Sequence, residues 1–529
     1  MGHLCLINPP GIKTTSGLQM HTPNPPIGLA YIAAAAQQAG HCVTVIDGTG
    51  HALDQIIPMR TRPDILVQGL TVAQIVDRIP ADADVVGLGC MFSTLWPISR
   101  QILDAIHAAR PELTLIAGGE HPSAVPEHVL DTSPVDIVTV GEGEETIVEL
   151  LSALDNGDDL STVKGLVCRK GADIVRSEAR SRKKNVDDIP LPAWELFPVE
   201  DYIERQQMNG IYQGRAMPIL GTRGCPFRCT FCSSPAMWTT QYNMRDVGLV
   251  CDEIERYMKR YGATDLQFPD RTALTSNKWI FAFCYELIRR DLTLTWQLPS
   301  CTRSEAIDAE VCSLLSRTGC KNMAYAPESG DAEIRKLIEK RVNIDNMLES
   351  IRSAMKNKLS MSCFFVIGFP QDTNATLRET LKLIRKLAWM GVPDVGVAKF
   401  VPYPGSALFN KLAAEGRVEL TDDFYLSPID FYGGGGVQVS YCDNLSARQL
   451  YGWMIRLYLN FYLLLAIRRP WTVAANVMRV FFSGREETRY AKWFRDIFKT
   501  RRRWRQTATK RAPAQQILPA ASATVHEEC

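Results

Sequence analysis

Three cysteines in the middle of this 529-residue chain have residue types and spacing that can do chemistry together. Cys225, Cys229 and Cys232 form a C-x3-C-x2-C motif directly after the run MPILGTRG, which predicts a strand. Three thiolates at this spacing can bind three irons of a 4Fe–4S cubane, and one iron then stays open because no fourth cysteine lies nearby. A structural zinc site would need a fourth Cys or His, but the next cysteines lie in predicted helices and residues 129–525 contain no histidine. The motif therefore predicts an iron–sulfur cluster with one open iron.

The elements around the motif predict a partial barrel. From Met217 onward, short apolar runs alternate with helical patterns and give six βα-type units in about 190 residues. The later strands are predicted at DLQFPD, LTWQLPSC, NMAYAPES, MSCFFVIGFP and VGVAKFVPYP. We expect residues 211–415 to form a partial (β/α)6 barrel, with the cysteines in the loop after its first strand.

Residues 1–154 predict a second α/β unit. Strands such as HCVTVID, DVVGLGC and LTLIAGG alternate with helices at 26–39, 96–109 and 145–154, which indicates a doubly wound, Rossmann-like parallel sheet. Such sheets bind ligands at the carboxyl ends of their strands, beside the point where the strand order reverses. Residues 155–210 are predicted to be a linker, because IPLPAWELFP carries three prolines within ten residues.

The C-terminal part predicts a helical cap over residues 416–505 and a disordered tail over 506–529. The longest apolar stretch, 457–467, contains Asn460 and is short of the roughly 20 residues of a transmembrane helix. The N-terminus lacks the pattern of a secretory signal, so a cytoplasmic location is expected. The formal net charge of +1 gives no reason to expect a nucleic-acid partner.

The cysteine motif at the end of the first barrel strand resembles that of the radical S-adenosylmethionine superfamily, and the resemblance extends over residues 217 to about 410. It implies that the open iron binds S-adenosylmethionine, which is cleaved to methionine and a 5′-deoxyadenosyl radical. Two alternatives stay open: Ser329 can cap the helix that follows it, and Arg303 can be a solvated surface residue. At 268–272, FPDRT, relatives often carry two adjacent acids, whereas only Asp270 is present here. The residues that the resemblance assigns to S-adenosylmethionine are Phe231, Arg303, Glu328, Ser329, Gly330 and Gly368.

The strand ends of the first unit resemble the cobalamin-binding domain of class B radical S-adenosylmethionine enzymes. The motifs are GLGCMFST at 87–94, GGEHPS at 118–123 and GEGE at 141–144. A nucleotide-binding Rossmann domain would carry G-x-G-x-x-G after its first strand, where this chain has NPPG; a helper domain with a vestigial pocket remains an alternative. The D-x-H-x-x-G motif is absent, so we expect base-off cobalamin without a His ligand, and a structural role for His121. The residues assigned to cobalamin are Ser93, Thr94, Gly118, Gly119, Pro122, Ser123, Gly141, Glu142 and Gly143.

Together the two resemblances predict a cobalamin-dependent radical enzyme, with methylation of an unactivated carbon of a small-molecule or lipid-like substrate as the favoured reaction. One alternative is a non-methylating reaction of the same class, such as oxidative cyclisation of a porphyrin ester. A non-catalytic cobalamin or iron–sulfur sensor is the alternative from another class. The expected partners are an electron donor such as flavodoxin or ferredoxin, and a peripheral membrane contact through the basic, aromatic C-terminal tail.

Overall fold

The computed structural model describes residues 2–14, 23–171, 173–433 and 439–471. The strands up to residue 176 are β1 (His3–Asn8), β2 (Gly11–Thr14), β3 (Cys42–Asp47), β4 (Ile56–Pro58), β5 (Ile65–Gln68), β6 (Val85–Gly89), β7 (Thr114–Gly118), β8 (Ile137–Thr139), β9 (Leu166–Lys170) and β10 (Asp173–Arg176). The helices up to residue 204 are α1 (Ile27–Gln38), α2 (Val72–Val76), α3 (Trp96–Ala109), α4 (Glu120–Ala124), α5 (Pro126–Thr132), α6 (Glu144–Asn156) and α7 (Val199–Glu204).

The first sheet is a doubly wound parallel sheet, as predicted. Its seven strands lie in the order β10-β9-β8-β7-β6-β1-β3, and β1 pairs in parallel with β3 on one side and β6 on the other. The chain therefore reverses its direction of winding between β1 and β6, which makes this the topological switch point. The strands are runs of Val, Ile and Leu because helices cover both faces of the sheet.

The edge of this sheet differs from the sequence expectation. Strands β9 and β10 form a hairpin, and β9 pairs antiparallel with β8, so the first sheet extends into the range predicted as linker. A separate sheet of β2, β5 and β4 was not predicted, because strands of three or four residues carry too little periodicity to be recognised.

The second sheet is all parallel, and its order β11-β14-β15-β16-β17-β18 follows the chain, as in a partial (β/α)6 barrel. The strands of this half are β11 (Ala216–Pro218), β12 (Thr222–Gly224), β13 (Tyr242–Met244), β14 (Asp265–Gln267), β15 (Thr295–Cys301), β16 (Cys320–Glu328), β17 (Ser360–Ile367) and β18 (Asp394–Lys399). Its helices are α8 (Ser234–Trp238), α9 (Val247–Tyr261), α10 (Asn277–Arg289), α11 (Ala309–Arg317), α12 (Ala332–Leu337), α13 (Ile344–Lys356), α14 (Asn374–Met390) and α15 (Ala407–Ala414).

The strand before the cysteines is broken in two, whereas the sequence predicted one continuous strand. The backbone N–H groups of Gly221 and Thr222 donate to the buried carboxylate of Asp270, at 3.1 and 2.5 Å, instead of to a neighbouring strand. The chain then leaves the barrel sheet, and β12 pairs antiparallel with β13. This hairpin holds both ends of the segment that contains the cysteine loop.

The C-terminal region contains α16 (Asp422–Gly433) and α17 (Ala447–Arg468). Helix α17 packs along α14 and β18, which agrees with a helical cap on the barrel. Within the described part of the chain, α17 is one helix whose length and composition would allow it to cross a membrane. The sequence expectation missed this because it considered only the stretch between Arg456 and Arg468 and not the whole helix. The predictions for 472–505 and for the tail at 506–529 lie outside the described residues.

Candidate functional site

The three cysteines lie in the loop between β12 and α8, half-buried and without disulfides. Cys225 Sγ accepts a hydrogen bond from the Thr272 hydroxyl at 3.2 Å, so the loop after β14 supports the first cysteine. Cys232 is close enough to Cys229 for the two thiols to interact electrostatically. Among the described residues, no three His, Cys, Asp or Glu side chains converge on a point for a single metal ion. A cubane presents its irons at separate corners, so three thiols spread along one loop fit a cluster better than an ion.

The turn after α12 packs against the cysteine loop. Thr230 N–H donates to the Ile338 carbonyl at 3.1 Å, and the Cys229 thiol lies 3.8 Å from the Glu339 carbonyl oxygen. The next residue, Lys340, is largely buried and forms an ion pair with Glu328 at 2.9 Å. Burial alone would lower the pKa of Lys340, but the Glu328 carboxylate and the Cys229 thiol raise it. A fixed ammonium charge therefore stands beside the cysteines, where it can offset the negative charge of thiolates.

Burial makes the thiolate form less favourable at two of the three cysteines, Cys229 and Cys232. Burial raises the pKa of Cys232 to about 11 and also raises that of Cys229. Iron needs thiolates as ligands, so cluster assembly on this loop releases protons and becomes more favourable as pH rises. The donor set therefore fits a 4Fe–4S cluster.

Phe231 and Gly368 come together beside the loop. The Phe231 ring packs edge-on against Phe369, with centroids 5.6 Å apart, and Phe369 in turn contacts Phe400. Gly368 has φ +87°, and its N–H donates to the Asp372 carboxylate at 2.8 Å. A Cβ on Gly368 would lie 2.7 Å from Leu450 Cδ1, so α17 approaches this turn closely. Both residues line one side of the cluster loop, and their contacts to S-adenosylmethionine stay predictions.

Arg303 lies on the other side of the loop and is largely buried. Its guanidinium stacks 4.0 Å from the Phe227 ring centroid and donates to Glu305 at 2.9 Å and to the Arg341 carbonyl. Arg303 is therefore held by protein groups at the border of the loop, and its contact with S-adenosylmethionine stays a prediction. The same side chains border an open groove of about 570 Å³ next to the cysteine loop.

The residues of the Glu328-Ser329-Gly330 motif face two different parts of the structure. Glu328 ends β16 with φ +63° and faces Lys340 and the cysteine loop. Gly330 instead faces α14, since its Cβ would lie 2.5 Å from the Glu379 carbonyl oxygen, and its N–H donates to the Thr380 hydroxyl at 3.0 Å. The Ser329 hydroxyl accepts from Asp331 N–H at 3.1 Å. The N-cap of α12 is Asp331, not Ser329, so the capping alternative for Ser329 is wrong by two residues.

Glu120 links the first sheet to the barrel. It begins α4, directly after the carboxyl end of β7, and its buried carboxylate accepts from Ser233 in the barrel. Its second oxygen forms an ion pair with Arg271 in the loop after β14. Glu120 and Arg271 both influence the Cys232 thiol electrostatically, so the ligand-binding edge of the first sheet lies beside the cysteine loop.

The carboxyl ends of β6 and β8 offer surface for a large ligand. Met91 and Phe92 follow β6 and are exposed, which is unusual for two adjacent large apolar side chains and suits contact with an extended ring. Gly141 follows β8 with φ +86°, and a Cβ there would have only the Met237 carbonyl within 4 Å. Open backbone and exposed apolar side chains at a switch point fit cobalamin.

The small polar residues at this edge are fixed by other protein groups. The Ser93 hydroxyl pairs with His121 Nδ1 at 3.0 Å, and the Ser123 hydroxyl accepts from Gly141 N–H at 3.0 Å. Thr94 is half-exposed and Pro122 is buried. The predicted cobalamin contacts of these four side chains stay predictions.

His121 is enclosed by aromatic rings. It packs on Trp96 at 5.0 Å and on Tyr425 at 5.2 Å between centroids. Burial, assisted by the charge of His128, lowers the pKa of His121 to about 3. A neutral imidazole enclosed by protein fits the structural role expected for this residue.

Several glycines at the strand ends serve close packing within the protein. A Cβ on Gly118 would lie 2.6 Å from Thr139 Oγ1, one on Gly119 the same distance from the Cys90 carbonyl, and one on Gly143 2.8 Å from Ile32 Cδ1. These glycines shape the edge of the sheet, and ligand contact by their backbones stays a prediction.

Glu142, predicted to bind cobalamin, has its carboxylate in a different environment. It forms ion pairs with Arg182 at 3.1 Å and Arg223 at 3.5 Å, and Arg223 also pairs with Glu144 at 2.5 Å. All four side chains are buried, and Arg223 stacks on Tyr31 of α1 at 4.9 Å. Since Arg223 lies in β12, two residues before Cys225, this network fastens the first sheet to the base of the cysteine loop. The Glu142 carboxylate is therefore engaged by arginines, and the predicted cobalamin contact of this residue would use its backbone.

Sequence reasoning missed Met91, Phe92, Glu120, Arg271 and Lys340. Met91, Phe92 and Glu120 lie within the strand-end motifs, and Arg271 lies in the FPDRT segment that departs from the family pattern. The sequence gives none of the five an individual role, because that role depends on long-range contacts that periodicity does not report.

Two family models match the chain, one in each half. The B12 binding domain model matches residues 17–151, and the Radical SAM superfamily model matches residues 219–384. The first range holds the strand ends with Met91 and Gly141, and the second holds the cysteine loop and β16.

Relatives with both halves include methyltransferases and cyclases. An uncharacterized methyltransferase, PH0819, of Pyrococcus horikoshii is 28% identical over 77% of this chain and 82% of its own. The cytidylyl-2-hydroxyethylphosphonate methyltransferase of Streptomyces wedmorensis is 26% identical over 76% of this chain and 80% of its own. The anaerobic magnesium-protoporphyrin IX monomethyl ester cyclase of Rubrivivax gelatinosus is 26% identical over 75% and 68%.

Among solved structures, the radical S-adenosylmethionine methyltransferase TsrM from Kitasatospora setae, with cobalamin and a [4Fe-4S] cluster bound, shares the fold. It matches with a TM-score of 0.60 and 17% identity over 78% of each chain. The order of the two matched domains, their shared edge and the open cysteine loop lead to one conclusion. The chain belongs to the cobalamin-dependent radical S-adenosylmethionine enzymes, and its cofactors are a 4Fe–4S cluster, S-adenosylmethionine and cobalamin.

Proposed function

We propose that this enzyme is a C-methyltransferase that acts on an unactivated carbon of a small-molecule or lipid-like substrate. The observation that carries the proposal is the contact between Glu120 and Ser233. Glu120 lies at the ligand-binding edge of the first sheet, and Ser233 is the residue after Cys232. When bound, the cluster with S-adenosylmethionine supplies a radical that removes hydrogen, and methylcobalamin supplies a methyl group. Both groups act on the same substrate carbon, so the edge of the first sheet and the cysteine loop must face one substrate space. Glu120 joins these two parts of the protein.

The protein's own residues place and shield these groups. Cys225, Cys229 and Cys232 are the proposed cluster ligands, and Lys340 provides a compensating positive charge beside them. The apolar cluster that includes Phe231, Phe369 and Phe400 excludes water from one side of the loop. Exclusion of water protects a radical from side reactions.

A non-methylating reaction remains the second candidate, and the specific observation in its favour is the similarity to the Rubrivivax gelatinosus cyclase. The two reactions use the same site, so geometry alone does not separate them. Labelled methyl groups do, because only methyl transfer moves the label into product.

The test uses reconstituted enzyme, S-adenosylmethionine with a trideuterated methyl group, and a metabolite extract from cells that lack the enzyme. We expect a product heavier than its precursor by a CD3-for-H exchange, together with 5′-deoxyadenosine. A Cys229→Ala variant is the matched control and should give neither. Formation of 5′-deoxyadenosine with an unlabelled, oxidised product would overturn methyl transfer in favour of the cyclase-type reaction.

The partners predicted from sequence stay proposals. A flavodoxin or ferredoxin is proposed as electron donor, and the open groove bordered by Phe227, Arg303 and Arg341 gives it an approach to the cluster loop. A cytoplasmic location, absence of a nucleic-acid partner and a membrane contact of the C-terminal region belong to the same proposal.

A further inference from the structure

Helix α17 is apolar on two opposite faces, and the first is packed against the barrel. Leu450, Met454, Leu457, Phe461 and Leu465 are each 4% exposed or less. Polar contacts fix this face as well: the Tyr458 hydroxyl accepts from Val397 N–H at 2.9 Å, and Trp453 Nε1 donates to Asn374 at 2.8 Å. The helix is therefore a fixed part of the fold, and it cannot leave the barrel to span a bilayer without breaking its core.

The second face of α17 is apolar but uncovered by described residues. Leu459, Leu463 and Ile467 recur every four residues, which places them on one side of the helix. Leu459, Leu463 and Ile467 are 56%, 62% and 71% exposed. At a rise of about 1.5 Å per residue, the stripe runs for about 12 Å. A soluble protein rarely exposes such a continuous stripe without a binding role.

The neighbouring helix α14 adds an aromatic side chain to this face. Trp389 is 60% exposed, and the Arg468 guanidinium lies 5.9 Å from its ring centroid. Arg385 of α14 also donates to Asn460 of α17 at 2.6 Å, so the two helices form one surface. Tryptophan with arginine is the combination found at membrane–water interfaces.

The charged residues around the stripe are mainly basic. Helix α17 contains no acidic residue, and α14 contains one, Glu379. Basic residues flank the stripe on both helices and at the end of α17: Arg378, Lys382, Arg385, Lys386, Arg448, Arg456, Arg468 and Arg469. The sequence beyond continues in the same sense, with basic residues dominating 485–511. An apolar stripe between basic residues is complementary to a surface that is apolar inside and anionic at its rim.

We propose that this face, formed by α14 and α17, lies on an anionic membrane surface, with α17 parallel to the bilayer plane. Leu459, Leu463 and Ile467 enter the acyl boundary, Trp389 lies at headgroup level, and the arginines and lysines contact anionic headgroups. This contact does not depend on which reaction the enzyme catalyses. It brings the barrel to a surface from which a lipid-like substrate can enter.

The test measures co-sedimentation of the full-length protein with vesicles of phosphatidylcholine alone and with about 30% phosphatidylglycerol, at low and high salt. Wild type should bind the anionic vesicles and lose most of this binding in high salt. The double substitution Leu459→Glu/Leu463→Glu should weaken binding by at least about tenfold, because it replaces inserted apolar surface by repelled charge. The matched control is Leu249→Glu/Tyr285→Glu, which charges two exposed apolar residues of α9 and α10 and should bind as wild type does.

Circular dichroism and iron content of both double variants confirm that they fold. No binding of wild type to anionic vesicles overturns the proposal. Equal binding of wild type and Leu459→Glu/Leu463→Glu also overturns it, since binding would then belong to the basic chain beyond α17. A wild-type dimer that becomes monomeric in Leu459→Glu/Leu463→Glu, without vesicle binding, assigns the face to a second copy of the chain instead.

Discussion

Removal of the Arg223 guanidinium should expose how strongly the two sheets are fastened together. Arg223 is buried between Glu142 and Glu144, with the Glu144 carboxylate 2.5 Å away. Arg223→Met keeps the length of the side chain but leaves Glu144 buried without its partner, while Glu142 keeps Arg182. Loss of one partner of a buried ion pair costs about 3–5 kcal/mol of unfolding free energy. For a domain of this size that corresponds to a melting temperature lower by about 6–20 °C.

Differential scanning calorimetry of the apoprotein measures this change without any contribution from cofactors. Arg223→Met/Glu144→Gln should recover at least about 2 kcal/mol relative to Arg223→Met, because no buried charge is then left unpaired. The control Arg352→Met breaks an exposed pair with Glu349 on α13 and should change stability by less than about 1 kcal/mol. A melting temperature of Arg223→Met equal to wild type, or a double variant no more stable than Arg223→Met, would refute the reasoning.

Four further outcomes follow from the same structure. Burial acts to raise the pKa of Glu144, but Arg223 lowers it on balance below its usual value of 4.5. The stabilising contribution of this carboxylate is therefore present above pH 4.5 and lost as pH falls through the lowered pKa. In an acid titration, the unfolding free energy of Glu144→Gln should decline less steeply than that of wild type. Gly368→Ala should lower unfolding free energy by at least about 1–2 kcal/mol because φ is +87° and the added Cβ meets Leu450, as measured by urea denaturation, with Gly157→Ala, whose Cβ meets nothing at φ +69°, as the control for backbone strain alone. Lys340→Met should move the midpoint potential of the reconstituted cluster to a more negative value, since a positive charge beside it is lost; an unchanged potential in an EPR-monitored redox titration would exclude that role. Cys225→Ala, Cys229→Ala and Cys232→Ala should each lose the absorbance of the reconstituted cluster, while Cys301→Ala, at the end of β15, should keep it.

Local patterns predicted most of the scaffold. The helix expected at 96–109 has those limits in the structure, because it is amphipathic over its whole length. The barrel strands were recognisable as short, mainly apolar runs, since parallel strands covered on both faces are largely apolar. The cysteine spacing predicted the candidate cluster because its ligands lie close together in sequence.

Contacts between distant residues were not predictable in this way. Glu120 and Arg271 are 151 residues apart, and Glu144 and Arg223 are 79 apart. Each is an ordinary charged residue in its own segment, and no periodicity indicates which charge it meets. For the same reason the sequence assigned Glu142 to a ligand, while in the structure its carboxylate holds Arg182 and Arg223.

The joining of the two edges explains why Arg271 departs from the family pattern. Glu120 is buried at the carboxyl edge of the first sheet, and the residue after Asp270 is the group that meets it. An acid in place of Arg271 would set a second negative charge beside the buried Glu120 carboxylate. Arginine turns that repulsion into an ion pair, and Ser233 donates to the other oxygen of the same carboxylate. The substitution therefore favours a closed arrangement in which the strand ends of the first sheet stay against the cysteine loop.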